Sequence, residues 1–166
     1  STIISGNTSR VIVWTYAEDL LAQRINSIKG VYKLRFLVFG AGALGSVVAA
    51  RLASIHEVSL IGRKDHVDAI NECGLRVTGH TEVLQKKIDA GANLAAIDGV
   101  PPDAILITVK AYDTRSAVRA LASYWNKSIF VSLQNGLGNE EAIAENAIRV
   151  LGAVINQGAT FIGPGE

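Results

Sequence analysis

The chain has 166 residues, of which 49% are hydrophobic, so it is long enough for one well-packed domain and too apolar for intrinsic disorder. Its formal net charge is +1, which excludes the electrostatic footprint of a protein that binds nucleic acid or an anionic membrane. No apolar run reaches the roughly 20 residues that a membrane-spanning helix needs.

Residues 1–33 form a leading segment whose role the sequence leaves open. The pattern predicts a short strand at Val11–Trp14 and an amphipathic helix at Glu18–Ile28. An added strand–helix layer, an arm that packs on a partner and a displaced piece all fit this pattern. We therefore expect the functional domain to comprise residues 34–166.

In residues 34–166 strands and helices alternate. We predict strands at 34–39, 57–61, 104–109, 129–133 and 149–155, and helices at 43–54, 65–72, 114–124 and 139–146. Two further extended pieces, at 75–78 and 82–88, form either a hairpin or an excursion from the sheet. This alternation predicts an α/β fold with a doubly wound, mainly parallel sheet, in which a ligand binds beyond the carboxyl ends of the strands.

The turn after the first of these strands has a glycine fingerprint. Gly40, Gly42 and Gly45 follow a buried-type strand at G-x-G-x-x-G spacing and open a helix. The first glycine permits a tight turn, the second leaves room for phosphates, and the third lets helix and strand pack closely. We predict that this turn and the helix N-terminus bind the pyrophosphate of a dinucleotide through backbone N–H groups. The expected contact residues are Gly40, Ala41, Gly42, Ala43, Leu44 and Gly45.

The next strand ends at Gly62 and Arg63, where NAD-binding domains usually place a carboxylate for the ribose hydroxyls. A guanidinium can instead grip a ribose 2′-phosphate through paired hydrogen bonds, and Lys64 can add charge. This pattern favours NADP(H). The alternative is a solvated basic loop, which the nearby Asp65 keeps open.

Three further residues follow later strands. Lys110 is a cation at the expected mouth of the cleft, although a surface lysine would look the same. Asn135 can donate and accept hydrogen bonds, but Asn-Gly is also a common turn pair. Ala159, with Gly158, permits either close approach of a ligand or a tight bend.

The remaining reactive residue types give no catalytic or metal-binding pattern. None of His56, His66 and His80 has a partner at catalytic or metal-ligand spacing, so we assign all three to surface structure and predict no metal. Cys73, the single cysteine, cannot form an internal disulfide, which favours a reducing cytoplasm. We expect it to be a small buried residue.

Taken together, these motifs resemble the N-terminal cofactor domain of the ketopantoate reductase (2-dehydropantoate 2-reductase) family. The resemblance runs from about residue 34 to the end of the chain, and the glycine fingerprint alone is shared by many dehydrogenases. The stretches that carry it are FGAGALGS at 39–46, GR at 62–63, VKAYDT at 109–114, SLQNGLGNEE at 132–141 and GAVINQGATFIGPGE at 152–166.

The resemblance implies a Rossmann domain and NADPH-dependent reduction of ketopantoate to pantoate in pantothenate and coenzyme A biosynthesis. It implies that Lys110 lies beside nicotinamide and substrate, that Asn135 contacts both, and that Ala159 touches the cofactor. The family's catalytic acid is a lysine of a C-terminal helical domain, which this chain does not include. We therefore expect no catalytic residue here and an inactive fragment of a longer product.

Several alternatives stay open at this point. The cofactor half alone does not fix the substrate, so a related NADP-dependent 2-keto acid reductase or a glycerol-3-phosphate type dehydrogenase would also fit. A non-catalytic domain that senses NADP(H) is a third possibility. For the enzyme, the expected partner is a small-molecule 2-keto acid, not nucleic acid or membrane, and a homodimer is compatible with the pattern.

Overall fold

A computed structural model describes residues 3–6, 9–12, 33–79, 83–97, 99–156 and 158–166. Two short strands, β1 (Ile3–Gly6) and β2 (Ser9–Ile12), pair antiparallel. The strand predicted at Val11–Trp14 overlaps β2, and the helix predicted at Glu18–Ile28 lies outside the described residues.

A parallel sheet organises the rest of the described chain. Its strands are β3 (Arg35–Phe39), β4 (Glu57–Ile61), β7 (Asp89–Gly91), β8 (Ala104–Ile107), β9 (Ile129–Ser132) and β10 (Val150–Gly152). They lie in the order β10-β9-β8-β3-β4-β7, and every pairing is parallel. The order starts at β3, grows outward to β7 and then returns to β8, which is the doubly wound arrangement of Rossmann domains. The predicted fold class is therefore confirmed.

Helices cover both faces of the sheet because successive strand residues point in opposite directions. The helices are α1 (Ala43–Leu52), α2 (Lys64–Cys73), α3 (Thr114–Ala120) and α4 (Asn139–Ala144). Leu37 packs in one core with Val118 of α3 and Ile143 of α4. The next residue, Val38, packs in a second core with α1 and α2. The two cores fix the sheet between two helical layers.

The region between α2 and β8 differs most from the sequence prediction. Strands β5 (Leu75–Thr78) and β6 (Val83–Lys86) form the hairpin that was one of the two alternatives. The extended piece predicted at 82–88 ends earlier, and β7 follows as an edge strand of the main sheet, which the sequence analysis missed. Strand β7 has only three residues, and Asn71 Nδ2 donates to its Ala90 carbonyl oxygen at 3.0 Å. So short a strand carries too little periodic pattern to be recognised.

Cys73 is exposed, not buried as predicted. It is the last residue of α2, whose buried residues His66, Val67 and Ile70 all lie nearer the start of the helix. The chain then turns at Gly74 into β5. The thiol therefore lies beyond the apolar stripe of the helix.

Candidate functional site

The last residues of the six strands in the parallel sheet form one row across it. Phe39 pairs with Ile61 on one side and with Ile107 on the other, and Ile107 pairs with Ser132. Every turn that leaves the carboxyl edge therefore starts at the same level. The change of direction in strand order lies between β3 and β8, so a crevice is expected beside Phe39.

The glycine turn starts in this crevice and depends on backbone alone. Gly40 has φ of 121°, a conformation that favours glycine, and a Cβ there would lie 2.7 Å from the Val109 nitrogen. A Cβ on Gly45 would lie 2.1 Å from the Gly40 carbonyl oxygen. A Cβ on Gly42 would meet no atom within 4 Å. The first and third glycines are thus required by packing, whereas the second faces open space.

The N–H groups that remain available lie at the start of α1. The amides of Gly40 and Ala41 donate to the Ile61 carbonyl oxygen at 3.0 and 2.8 Å, and the Gly42 amide donates to the Gly40 carbonyl oxygen. Gly42 is the N-cap of α1 and provides no side-chain cap. The first-turn amides, at positions 43–45, therefore have no partner among the described residues.

This arrangement refines the predicted phosphate contacts. Backbone N–H groups at 40–42 serve to shape the turn, so Gly40 and Ala41 cannot also donate freely to a pyrophosphate as the sequence analysis expected. The first turn of α1 supplies the free donors and the positive end of the helix dipole. The absence of a side chain on Gly42 leaves that end open.

Arg63 follows β4 in the adjacent turn. Gly62 precedes it, and a Cβ at Gly62 would lie 2.4 Å from the Ala41 Cβ, so the turn tolerates no side chain there. Arg63 is exposed, and no group within the described ranges pairs with its guanidinium. Lys64, by contrast, pairs with Asp68 at 2.6 Å, and this hydrogen bond raises the pKa of Lys64. Of the two cations in this turn, Arg63 is therefore the one without a partner among the described residues.

Lys110 and Asn135 lie at equivalent places on neighbouring strands. Ile107 pairs with Ser132, and each of the two site residues follows its strand end by three positions. Both residues are exposed, and the described part of the chain offers no partner to either side chain. The structure thus brings a cation and an amide to the same part of the carboxyl edge of the sheet.

Three polar side chains join the turns that carry Lys110 and Asn135. Gln134 Nε2 donates to the Val109 carbonyl oxygen at 2.8 Å and to Thr114 Oγ1 at 2.7 Å. Thr114 Oγ1 donates to Asn139 Oδ1 at 3.2 Å. Asn139 Nδ2 donates to the Asn135 carbonyl oxygen at 3.2 Å. We call Gln134, Thr114 and Asn139 the bridging residues.

The bridging residues were not predicted from the sequence. Gln134 contacts Thr114 across 20 positions, and Thr114 contacts Asn139 across 25. Such separations produce no periodic pattern, and only the register of β8 with β9 brings the residues together. The available signal was that all three residues lie within the stretches VKAYDT at 109–114 and SLQNGLGNEE at 132–141.

Two buried polar atoms at this end of the sheet make no hydrogen bond to the described residues. Gln134 Oε1 and Ser132 Oγ are buried and have no hydrogen-bond partner among the described residues. Buried acceptors are normally satisfied by protein, water or ligand. The site therefore has acceptor capacity that a ligand or an ordered water can fill.

Ala159 lines a cleft of about 460 Å³ that runs along the start of α1. Ala43 and Ser46 of α1 form one wall, and Arg76 and Thr78 of β5 form another. The predicted contacts Ala43 and Ala159 thus lie on the same cleft. A second cavity, of about 320 Å³, contains none of the predicted site residues and is lined in part by Arg35, His56 and Glu57 near the amino edge of the sheet.

His66 is buried, which corrects its assignment to surface structure. Only 3% of its surface is exposed, and burial lowers the pKa of its imidazole. The Gly165 amide donates to Nδ1 at 2.8 Å, so the ring proton lies on Nε2 and points to Ser46 Oγ at 3.0 Å. Phe161 packs edge-on against the ring. His66 therefore joins α1 to the segment that carries Ala159. Its burial was not predicted because its partners Ser46 and Gly165 lie 20 and 99 positions away in the sequence.

The described residues show neither a metal-binding cluster nor a membrane-spanning helix. No group of three or more His, Cys, Asp and Glu side chains there could hold a metal ion. None of the helices that the structure describes is long and apolar enough to cross a membrane.

The fold and the site define a Rossmann-type α/β domain with a glycine turn at its switch point. Residues 36–166 match the family model described as Ketopantoate reductase PanE/ApbA. The chain belongs to this family, as its sequence motifs indicated.

Individual relatives agree with the family match. The chain is 40% identical over 133 residues to a 2-dehydropantoate 2-reductase of Pyrococcus horikoshii, covering 80% of this chain and 43% of the relative. A crystal structure of a PanE/ApbA family ketopantoate reductase from Ralstonia eutropha JMP134 is similar with a TM-score of 0.73 and 34% identity, covering 80% of this chain and 45% of that one. A ternary structure of D-mandelate dehydrogenase with NADH and anilino(oxo)acetate is similar with a TM-score of 0.69 and 25% sequence identity. That match covers 80% of this chain and 44% of the dehydrogenase chain. The chain thus spans less than half the length of these relatives.

Proposed function

We propose that the chain is the coenzyme-binding part of an NADPH-dependent 2-dehydropantoate 2-reductase, which reduces ketopantoate to pantoate for pantothenate and coenzyme A synthesis. One observation carries the proposal most directly. The uncapped first turn of α1 lies at the sheet edge, where Gly42 leaves space. Arg63 and Lys110 follow strands at the same edge, and neither cation has a partner among the described residues. A dianionic pyrophosphate and a ribose phosphate match this distribution of charge.

Support for NADP(H) comes from the turn after β4. A carboxylate that selects NAD would have to stand near Gly62, where any side chain collides with Ala41. The next residue is the exposed Arg63, whose fork of donors fits a 2′-phosphate. The similar D-mandelate dehydrogenase, by contrast, was solved with NADH.

The chain's own residues would bind and orient the reactants. Reduced nicotinamide, when bound, supplies the hydride. Amides at 43–45 would hold the pyrophosphate, and Arg63 would hold the ribose phosphate. Lys110 would attract the carboxylate or the ketone oxygen of a 2-keto acid, and Asn135 would hydrogen-bond both coenzyme and substrate. No residue of this chain is assigned as the proton donor.

A related 2-keto acid reductase is the second candidate. The similarity to D-mandelate dehydrogenase in complex with a 2-keto acid analogue favours it. Both candidates use the crevice in the same way, so the coenzyme half does not separate them. Both also suit a cytoplasmic enzyme with one exposed, unpaired cysteine.

Two measurements test the proposal. Calorimetric titration of the 166-residue chain should give one NADPH site with clearly tighter binding than NADH. Turnover of the full gene product with NADPH should be faster on ketopantoate than on benzoylformate or pyruvate. A folded chain that takes up no NADPH would contradict the coenzyme assignment, and a preference for another 2-keto acid would favour the second candidate.

A further inference from the structure

We propose that the bridging residues Gln134, Thr114 and Asn139 are positioning residues that set how tightly the nicotinamide half of the coenzyme binds. This inference rests on the proposed function, because it takes Lys110 and Asn135 as the residues that face the nicotinamide. The bridging residues themselves need not touch the ligand. They would act by holding the two turns at a fixed separation.

Hydrogen bonds, more than apolar packing, hold the two turns in place. Residues 110–113 and 135–138 are exposed throughout, so apolar packing contributes little to their position. Both follow strands that end three residues before the site residue. Between the last ladder bonds and the helices that follow, the bridging residues join one turn to the other by side-chain hydrogen bonds.

These bonds are well placed to fix the geometry. Thr114 and Asn139 are 1% and 3% exposed, so water cannot readily replace a lost partner. Each bond also has a defined direction, which runs from the Gln134 amide through the Thr114 hydroxyl to Asn139. Thr114 is central because it accepts one bond and donates the next.

The two ends of the chain of bonds are backbone atoms adjacent to the site residues. One end is the carbonyl oxygen of Val109, whose peptide bond leads to Lys110. The other is the carbonyl oxygen of Asn135 itself. A shift of either carbonyl therefore moves a predicted ligand contact. The Arg63 turn takes no part in these bonds, so the adenosine half of the coenzyme should be insensitive to them.

The test compares two ligands on the 166-residue chain. NADPH contains the nicotinamide riboside, whereas 2′-phospho-ADP-ribose has the same adenosine and pyrophosphate part without nicotinamide. Thr114→Val keeps the side-chain shape and removes both hydrogen bonds. We expect it to weaken NADPH binding about tenfold and to leave 2′-phospho-ADP-ribose binding unchanged within about twofold.

Matched variants exclude a general effect on folding. Thr114→Ser retains the hydroxyl and should restore NADPH affinity. Ser116→Ala removes an exposed hydroxyl on the same helix, one that donates to the Asp113 carbonyl oxygen at 2.8 Å. This variant should bind both ligands as wild type does. If Thr114→Val does not fold, Gln134→Met is measured instead, because it removes the amide that donates to the Val109 carbonyl oxygen and to Thr114 Oγ1.

The outcomes separate the two proposals. If wild type binds NADPH and the variants lose neither ligand, or lose both equally, the positioning role is wrong while the coenzyme assignment stands. If wild type binds 2′-phospho-ADP-ribose but gains nothing from the nicotinamide, the positioning role is also wrong. If folded wild type binds neither ligand, the proposed function itself fails and the inference fails with it.

Discussion

The glycine turn after β3 and the paired turns after β8 and β9 lie side by side at one sheet edge, yet different forces hold them. The glycine turn is shaped by backbone: its amides bond to the Ile61 carbonyl oxygen, and its packing leaves no room for a Cβ at Gly40 or Gly45. The paired turns are joined by side-chain hydrogen bonds between residues distant in sequence. One part of the site thus depends on glycines that have no side chain, whereas the other part depends on hydrogen bonds between specific polar side chains.

The largest effect should come from adding a side chain to the glycine turn. Gly45→Ala places a Cβ 2.1 Å from the Gly40 carbonyl oxygen and 2.8 Å from Thr108 Oγ1, so helix and strand must separate. We expect a loss of about 3 kcal/mol in the free energy of unfolding. Chemical denaturation of the 166-residue chain measures it.

Gly42→Ala is the matched control. A Cβ there meets open space, and φ of −89° suits alanine, so the stability should change by less than about 1 kcal/mol. NADPH binding should nevertheless weaken about tenfold, because the methyl group enters the space assigned to the pyrophosphate. Equal denaturation midpoints for Gly45→Ala and wild type would show that the contact distances do not govern packing here.

The same contrast explains what could be predicted from the sequence. The glycine turn, β3, β4 and α1 were predictable because their determinants are local: apolar runs, and glycines at fixed spacing. The row of strand ends that brings Arg63, Lys110 and Asn135 to one edge also followed from strand–helix alternation. Thr108, whose hydroxyl donates to the Gly40 carbonyl oxygen at 2.7 Å, was not predictable because its partner lies 68 positions away. The roles of the bridging residues and of His66 could not be predicted for the same reason, since their partners are also distant in sequence.

The next largest effect should come from changing the charge of Arg63, in the turn after β4. Arg63→Asp replaces the free guanidinium with a carboxylate that repels a 2′-phosphate and can accept from ribose hydroxyls. We expect NADPH affinity to fall about 100-fold while NADH affinity changes little, as measured by fluorescence titration with both coenzymes.

Lys64→Gln tests whether any nearby cation would serve. Lys64 is engaged with Asp68 at 2.6 Å, so removing its charge should weaken NADPH binding by less than about threefold. Two outcomes would count against the selectivity of Arg63: an equal loss for both coenzymes in Arg63→Asp, or a loss in Lys64→Gln as large as that in Arg63→Asp.

The smallest effect concerns a side-chain contact on the glycine-turn side of the site, where His66 joins Ser46 of α1 to Gly165. Burial lowers the pKa of His66 below its ordinary value of 6.5, so the folded chain excludes a proton that the unfolded chain accepts. The stability that neutral His66 contributes is therefore present above pH 6.5 and is lost as the pH falls through the folded-state pKa. Protonation would also require Nδ1 to give up the hydrogen bond from the Gly165 amide.

His66→Gln isolates this effect, because carboxylates titrate in both proteins and their contribution cancels in the difference. The free energy of unfolding of wild type, minus that of His66→Gln, should decrease as the pH falls below 6.5 and level off below the folded-state pKa of His66. Denaturation series at several pH values measure the difference. A difference that stays constant would mean that His66 takes up a proton as readily in the folded chain as in the unfolded chain, so that its burial contributes no pH-dependent stability.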